Sequence, residues 1–317
     1  MAWLLGIDEA GYGPNLGPFV MSAVACQVPD AHTAGDLWAP LEAAVRRGRG
    51  KRDTRLIVDD SKVVYSATRG LSHLERGALT LLDGRPGRLS DLIGLLCADD
   101  ADEIAAEVWY TGTTALPCSA LADELGPIRA AFEEACRAGG LCHWRARSAV
   151  VCPARFNAIV ERTGTKGAVL AHAFVRLLAW GVEATAGEEP LFVCTDKQGG
   201  RNTYAEQVQQ ALAGGLVTPV EETAERSLYR VVGGPRPIEL VFRPGADGAH
   251  FCVALASMLS KYLRELLMGE LNAFWRQHVP GLAPTAGYPG DAARFLEAIR
   301  DAAERLQVPQ VALWRFK

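Results

Sequence analysis

Three aspartates stand where apolar, strand-like runs end. Asp8 follows Leu4-Leu5-Gly6-Ile7 and Asp196 follows Leu191-Phe192-Val193-Cys194-Thr195. Asp247 comes soon after Glu239-Leu240-Val241-Phe242, in a Gly/Pro-rich turn, and Glu9 adds a fourth carboxylate beside Asp8. In open α/β sheets ligands collect at strand ends, where side chains leave the packed core yet stay fixed by it. Carboxylates gathered there repel one another, and a hard divalent cation with oxygen ligands relieves that repulsion. The chemistry open to such a set is metal-assisted attack by water. The plainer alternative is that acids simply end strands and start helices, with Asp247 capping the one that follows. Successive strand residues point to opposite faces, so Asp8 and Glu9 can share a site only if the strand ends or bulges there.

Other constellations carry less. Gly11-x-Gly13 and Gly17 approximate a dinucleotide fingerprint, but Pro14 and Pro18 interrupt it and a strand-like run follows where a helix is needed. Ser61-Lys62 and Ser257-x-x-Ser260-Lys261 lack the spacing of serine–lysine nucleophile pairs. Cys136, Cys142, His143 and Cys152 fit no common zinc finger.

The elements that must position the acids read as alternating strands and helices, which is an α/β pattern. Strands are expected over 3–8, 19–28, 144–152, 191–195 and 238–242. Helical spacing marks 71–82, 89–97, 120–138, 167–180, 204–212 and the long stretch 249–274, and a helix can begin near Pro153. The 317 residues suit two domains or one large domain with additions. With 49% hydrophobic and 22% charged residues, a disordered chain, a collagen-like repeat and a disulfide scaffold are excluded. A net charge of −4 excludes bulk-charge binding of nucleic acid, so a polyanion needs a local basic patch or bound cations. The densest basic run, 46–55, is a solvated loop or a phosphate contact. Eight scattered cysteines without a Cys-x-x-Cys pair point to free thiols and a cytoplasmic protein. No signal-peptide core and no run of ~18 uninterrupted apolar residues is present, so no membrane partner is expected.

Gly6-Ile7-Asp8-Glu9-Ala10-Gly11-Tyr12-Gly13-Pro14, followed by Gly17-Pro18, resembles the first motif of the type 2 ribonucleases H, Gly-Ile-Asp-Glu-Ala-Gly-Arg-Gly-Pro with a later Gly-Pro. Asp60-Ser61-Lys62 is similar to the family's Asp-Ser-Lys segment, and Asp196 resembles its third acid. Asp247, ten positions before Ser257 in Ala256-Ser257-Met258-Leu259-Ser260-Lys261, resembles the fourth. Gly287-Tyr288 is similar to the C-terminal Gly-Tyr that packs on the substrate sugar, and Trp314-Arg315-Phe316 faintly resembles the terminal segment. The likeness runs from end to end except for an insertion at about 70–140.

The resemblance implies a ribonuclease H-like, mixed five-stranded sheet flanked by helices, with an inserted helical region and a C-terminal helical extension. It divides the chain into a catalytic domain, 1–270, and a C-terminal segment, 271–317, that contributes to substrate binding. It implies a monomeric endonuclease that cuts the RNA strand of RNA–DNA hybrids, or ribonucleotides embedded in duplex DNA, leaving 5′-phosphate and 3′-hydroxyl. Asp8, Glu9, Asp196 and Asp247 would hold two Mg²⁺ or Mn²⁺ ions about 4 Å apart. Gly11, Tyr12 and Gly13 would read the 2′-hydroxyl, Tyr288 would stack on the neighbouring sugar, and Lys62 would be a further substrate contact. Tyr12 replaces the family's arginine or lysine, Thr195-Asp196-Lys197-Gln198-Gly199-Gly200-Arg201 replaces a short Asp-Gly turn, and Thr285-Ala286 replace His-Lys. Lys197 and Arg201 would then supply replacement phosphate contacts. The competing readings are a ribonuclease H-fold protein that only binds nucleic acid, and a nuclease for junctions or other structured DNA or RNA.

Overall fold

The computed structural model describes residues 1–48, 53–212 and 214–316. Its strands are β1 (Ala2–Ala10), β2 (Phe19–Val28), β3 (Val45–Arg46), β4 (Leu56–Ile57), β5 (Cys142–Val151), β6 (Leu191–Asp196), β7 (Leu216–Glu222), β8 (Ser227–Val232) and β9 (Ile238–Arg243). The helices are α1 (Ser61–Val64), α2 (Ser72–Leu81), α3 (Leu89–Leu96), α4 (Ala101–Ala105), α5 (Ala122–Gly139), α6 (Pro153–Thr163), α7 (Gly167–Ala184), α8 (Ala205–Ala211), α9 (Phe251–His278) and α10 (Pro289–Arg305).

One mixed sheet runs in the order β5-β2-β1-β6-β9-β8-β7. β1 and β2 pair antiparallel, whereas β1, β6 and β9 run parallel. β1 reads as a continuous apolar run because it is buried on both faces. Leu4 and Val24 meet α9 and the inserted helices on one face; Leu5, Ile7 and Ala23 meet α6, α7 and α8 on the other. Gly6 lets α9 approach the sheet closely: a Cβ there would lie 2.2 Å from the main chain of Cys252 and Val253. α7 is long and apolar enough to cross a membrane by length and composition, but its Val169, Leu170, Ala173, Phe174, Leu177 and Leu178 pack into this second core.

The α/β interleaving agrees with the sequence reading, but the sheet has seven strands where five were expected. The additional pair is the β7–β8 hairpin at one edge. β7 escapes recognition because Pro219, Glu221 and Glu222 break its apolar pattern and Leu216 and Val220 are exposed. At the opposite edge, β5 is covered by the inserted region: Asp100 accepts the Val150 N–H at 2.9 Å and Glu103 accepts that of Cys152 at 3.4 Å. Asp100 is fully buried and offset by Arg155 and Arg176, each at 2.9 Å. The division at residue 270 falls inside α9, whose 28 residues run unbroken through it. Residues 49–52 of the basic run lie outside the described residues. Of its remainder, Arg47 lies 3.4 Å over the Trp38 ring, and Arg55 pairs with Asp53 at 2.6 Å.

Buried acids also fasten the insertion to α9. Glu75 accepts N–H donors from Cys118, Ser119 and Ala120 and the Tyr262 hydroxyl, at 2.5–2.8 Å. Burial pushes its carboxyl up, but these donors outweigh that and hold it below the ordinary value. Glu270 on α9 likewise accepts from Thr111 and Gly112 main-chain N–H and from the Thr111 and Thr114 hydroxyls. Glu75→Ala should therefore leave three main-chain amides, that of Ala120 buried, and the buried Tyr262 hydroxyl without their acceptor and cost about 2–3 kcal/mol, read by chemical denaturation.

Candidate active site

The β1–β6 ladder stops at Ile7↔Thr195, while β1 continues beside β2 to Ala10↔Val20. A gap opens between the two parallel strands where their acids begin. β1 keeps a regular register through Asp8 and Glu9, so of the two expected routes to a shared site, a strand end or a bulge, there is no bulge, and β1 ends one residue later at Ala10. Asp8 takes the α9 face, and Glu9 takes the other. They meet around the gap because β6 ends at Asp196 and no longer fills it.

Each acid is fixed by its neighbours. The Asp8 carbonyl accepts from Ser260 Oγ at 2.9 Å, and the Ser257 hydroxyl beside its carboxylate opposes the upward shift of its pKa. Asp196 Oδ1 accepts the N–H groups of Lys197 and Gly245, both at 2.9 Å. Asp247 lies in the single turn Ala246–Gly248 ahead of α9 and accepts the Gly248 N–H at 2.9 Å. It does not cap α9 itself, whose first turn follows His250 without a side-chain cap. Asp60 caps α1 through the Lys62 N–H at 2.9 Å, and Ser61 is held to α9 by a 3.0 Å bond from Ser257.

A cavity of about 350 Å³ joins these groups. Asp8, Glu9, Asp196 and Asp247 line it together with Gly11, Tyr12, Lys62, Tyr65, Lys261 and Tyr288. Gly13 adjoins it, since a Cβ there would come 3.8 Å from Cε1 of Tyr288. Tyr288 is about half exposed, with the Arg264 guanidinium 6.0 Å from its ring centre. Tyr12 carries the Lys166 ammonium 4.7 Å over its ring, and the charge of Arg201 acts on its hydroxyl. Lys197 is turned away: its Nζ donates to Asn202 Oδ1 at 2.8 Å and to the Thr223 carbonyl. Tyr65 and Lys261 were not among the expected site residues. Both donate to Glu265, at 2.8 and 2.6 Å, a small network that places a hydroxyl and an ammonium beside the acids. Lys261 stands four residues after Ser257 on the expected long helix, so helical spacing alone aims both at the same place.

The electrostatics are those of crowded anions. Burial, then Glu9, raises the Asp8 carboxyl well above its ordinary range. Burial and the repulsion of Asp196 push Glu9 up to about 7, with Lys62 opposing. Burial and the adjoining Asp60 push Asp247 up to about 6. Lys62 is raised in turn, first by Asp60 and then by Asp247, Asp8 and Asp196.

Among the described residues no three acidic, histidine or cysteine side chains already form a ligand set for an ion. The acids line the cavity and do not converge on one point. Their chemistry nonetheless fits a hard divalent cation: the donors are carboxylate oxygens, half of them buried, and each destabilises its neighbours' charge. Because Glu9 and Asp247 titrate above their ordinary values of 4.5 and 3.8, the folded chain keeps protons that the unfolded chain releases. This contribution is complete below about pH 4 and is lost as pH rises through 6 and 7. For Glu9 the loss is on the order of 3 kcal/mol. The melting temperature of the metal-free protein should thus fall between pH 4 and 7, and millimolar Mg²⁺ or Mn²⁺ should restore it at pH 8.

Fold and site together define a mixed α/β chain with an acidic, oxygen-donor cavity at the ends of its parallel strands. No protein-family model and no curated protein matches the sequence. Among solved structures the chain is similar to a chain of the PCNA:RNase HII complex from Archaeoglobus fulgidus, at 15% identity and a TM-score of 0.47, over 99% of this chain and 94% of that one. It is similar to ribonuclease H2 from Pyrococcus horikoshii OT3, at 15% identity and 0.47, over 98% and 92%. It is also similar to Bst-RNase HIII in complex with Mn²⁺, at 16% and 0.45, over 99% of this chain and 66% of that one.

Proposed function

We propose that this chain is a divalent-metal-dependent endonuclease. It hydrolyses the RNA strand of RNA–DNA hybrids, or the bond at ribonucleotides embedded in duplex DNA, leaving 5′-phosphate and 3′-hydroxyl. The observation that carries this reading is one cavity lined by Asp8, Glu9, Asp196 and Asp247 beside Lys62, Lys261 and Tyr288. Acids for cations, ammonium groups for phosphate and an exposed ring for a sugar are the parts a ribonuclease of this kind needs.

Asp8, Glu9, Asp196 and Asp247 would hold two Mg²⁺ or Mn²⁺ ions, which when bound supply an acidified water and stabilise the leaving 3′ oxygen. The remaining residues bind and orient. Lys62 and Lys261 attract the phosphate chain into a cavity that the acids alone would close to it. The Gly11–Gly13 turn brings main-chain groups to the ribose, whose 2′-hydroxyl distinguishes RNA from DNA. Tyr288 offers its exposed ring to the adjoining sugar, and Arg201 adds positive charge beside Tyr12. Ser61 and Ser257 are bonded to each other, which suits a reaction whose nucleophile is water. The eight free cysteines support a reducing, cytoplasmic setting.

The test is a cleavage panel: duplexes with a single ribonucleotide, long RNA–DNA hybrids, and branched DNA, each with Mg²⁺ or Mn²⁺. Cleavage of either ribonucleotide-containing substrate is expected. Cutting of branched DNA alone would assign a different substrate to the same cavity, and tight binding without cutting would leave a binding protein.

A further inference from the structure

The turn that follows Glu9 is fastened from below by a residue far away in sequence. Arg315 is 1% exposed, and its Nη1 donates to the Gly11 carbonyl at 2.8 Å while Nη2 donates to that of Pro14. Its own N–H donates to the Asn15 carbonyl at 2.8 Å, and Leu16 bridges to Trp314. Residues 311–316 therefore lie along the inner side of the turn.

That segment is held in place by α6. Asn157, wholly buried, donates Nδ2 to the carbonyls of Val311 and Trp314 at 2.9 and 2.8 Å and accepts the Phe316 N–H at 2.7 Å. From the other side, Asn15 and Leu16 donate to the Gly287 carbonyl at 2.7 and 3.2 Å. Gly11 has φ +84°, and a Cβ there would lie 2.3 Å from Nε of Arg264. The turn is thus clamped between two buried guanidiniums.

A peptide unit is planar and trans, so its carbonyl and the following N–H point in opposite directions. With the Gly11 carbonyl aimed inward at Arg315, the Tyr12 N–H is aimed outward, and Gly11 and Tyr12 both line the acid cavity. One guanidinium spans two carbonyls because its donors form a rigid fork, which a lysine ammonium cannot reproduce.

We infer that Arg315 is a positioning residue for substrate recognition: it fixes the Gly11 and Pro14 carbonyls inward so that the Tyr12 amide is presented to the sugar beside the bond to be cut. This rests on the ribonuclease reading above, but the orientation of the turn can be measured apart from activity.

The experiment compares wild type with Arg315→Ala, Arg315→Lys and Asn157→Asp. Steady-state cleavage of a single-ribonucleotide duplex is measured alongside hydrogen exchange across residues 9–18 in the substrate-free protein. All three variants should raise KM by about tenfold or more with kcat changed less than about threefold, because the acids are untouched. Exchange should accelerate in 9–18 and not elsewhere in β1 or α9, and the lysine should not rescue. Unchanged KM, or faster exchange spread evenly over the chain, would overturn the inference. A wild type that cleaves nothing removes the ribonuclease reading, while exchange at 9–18 still decides whether Arg315 holds the turn.

Discussion

Asp8→Asn should lower turnover by about a thousandfold or more, equivalent to roughly 4 kcal/mol of transition-state stabilisation. Asp8 stands between β1, α9 and the turn that carries Asp247. Its strand supplies Glu9, its carbonyl is tied to Ser260 on α9, and its carboxylate interacts with both Glu9 and Asp247. Asparagine keeps the shape and removes the charge, so cation affinity should fall with activity. The same change relieves buried repulsion, and the metal-free variant should melt higher than wild type at pH 8. Loss of activity together with loss of folding would not fit this account, nor would near-normal turnover. Circular dichroism, thermal melts with and without Mg²⁺, and single-turnover cleavage separate these outcomes.

Gly6→Ala should be the most damaging small substitution in the core. Adding one methyl group to a strand is ordinarily mild, and alanine suits extended backbone. Here the new Cβ would meet main-chain atoms of Cys252 and Val253 at 2.2 Å, and a helix backbone cannot rotate aside as a side chain can. Either α9 lifts from β1 or the strand shifts, and both disturb a contact made by wholly buried residues. A loss of about 4 kcal/mol or more is expected in urea denaturation. Gly94→Ala, where nothing lies within 4 Å of the new methyl, is the control and should leave stability unchanged or slightly higher.

How much of this was legible beforehand depended on the kind of signal. Apolar runs that end in an acid, or are soon followed by one, identified β1, β6 and β9, and those acids line the cavity. The inserted helices α2, α3 and α5 were readable from their spacing and the punctuation between them. What periodicity cannot show is a buried charge that serves main chain. Glu75, Asp100 and Glu270 look like surface residues in a linear reading, yet each satisfies amides contributed by distant segments. Arg315 is the same case in reverse, a cation hidden to collect carbonyls. The outermost strand β7 was missed because an edge strand needs little apolar character, and β8, inside the sheet with Leu228, Tyr229 and Val231 buried, was missed with its hairpin partner. Lys197 was assigned to phosphate from its place after Asp196, but a loop lysine finds the nearest acceptors, here Asn202 and the Thr223 carbonyl.

The two margins of the sheet bear on how the protein behaves when crowded. An uncovered strand with free amides recruits further strands, which is how many chains stack laterally and precipitate. Here one margin is occupied by Asp100 and Glu103, and the other carries a proline, which offers no amide, among glutamates. Each margin is thus blocked at a point, near Val150 on one side and at Pro219 on the other. Stocks should therefore tolerate high concentration at neutral pH, and the substitution to avoid in preparing them is Pro219→Val, which would reopen one margin to lateral growth.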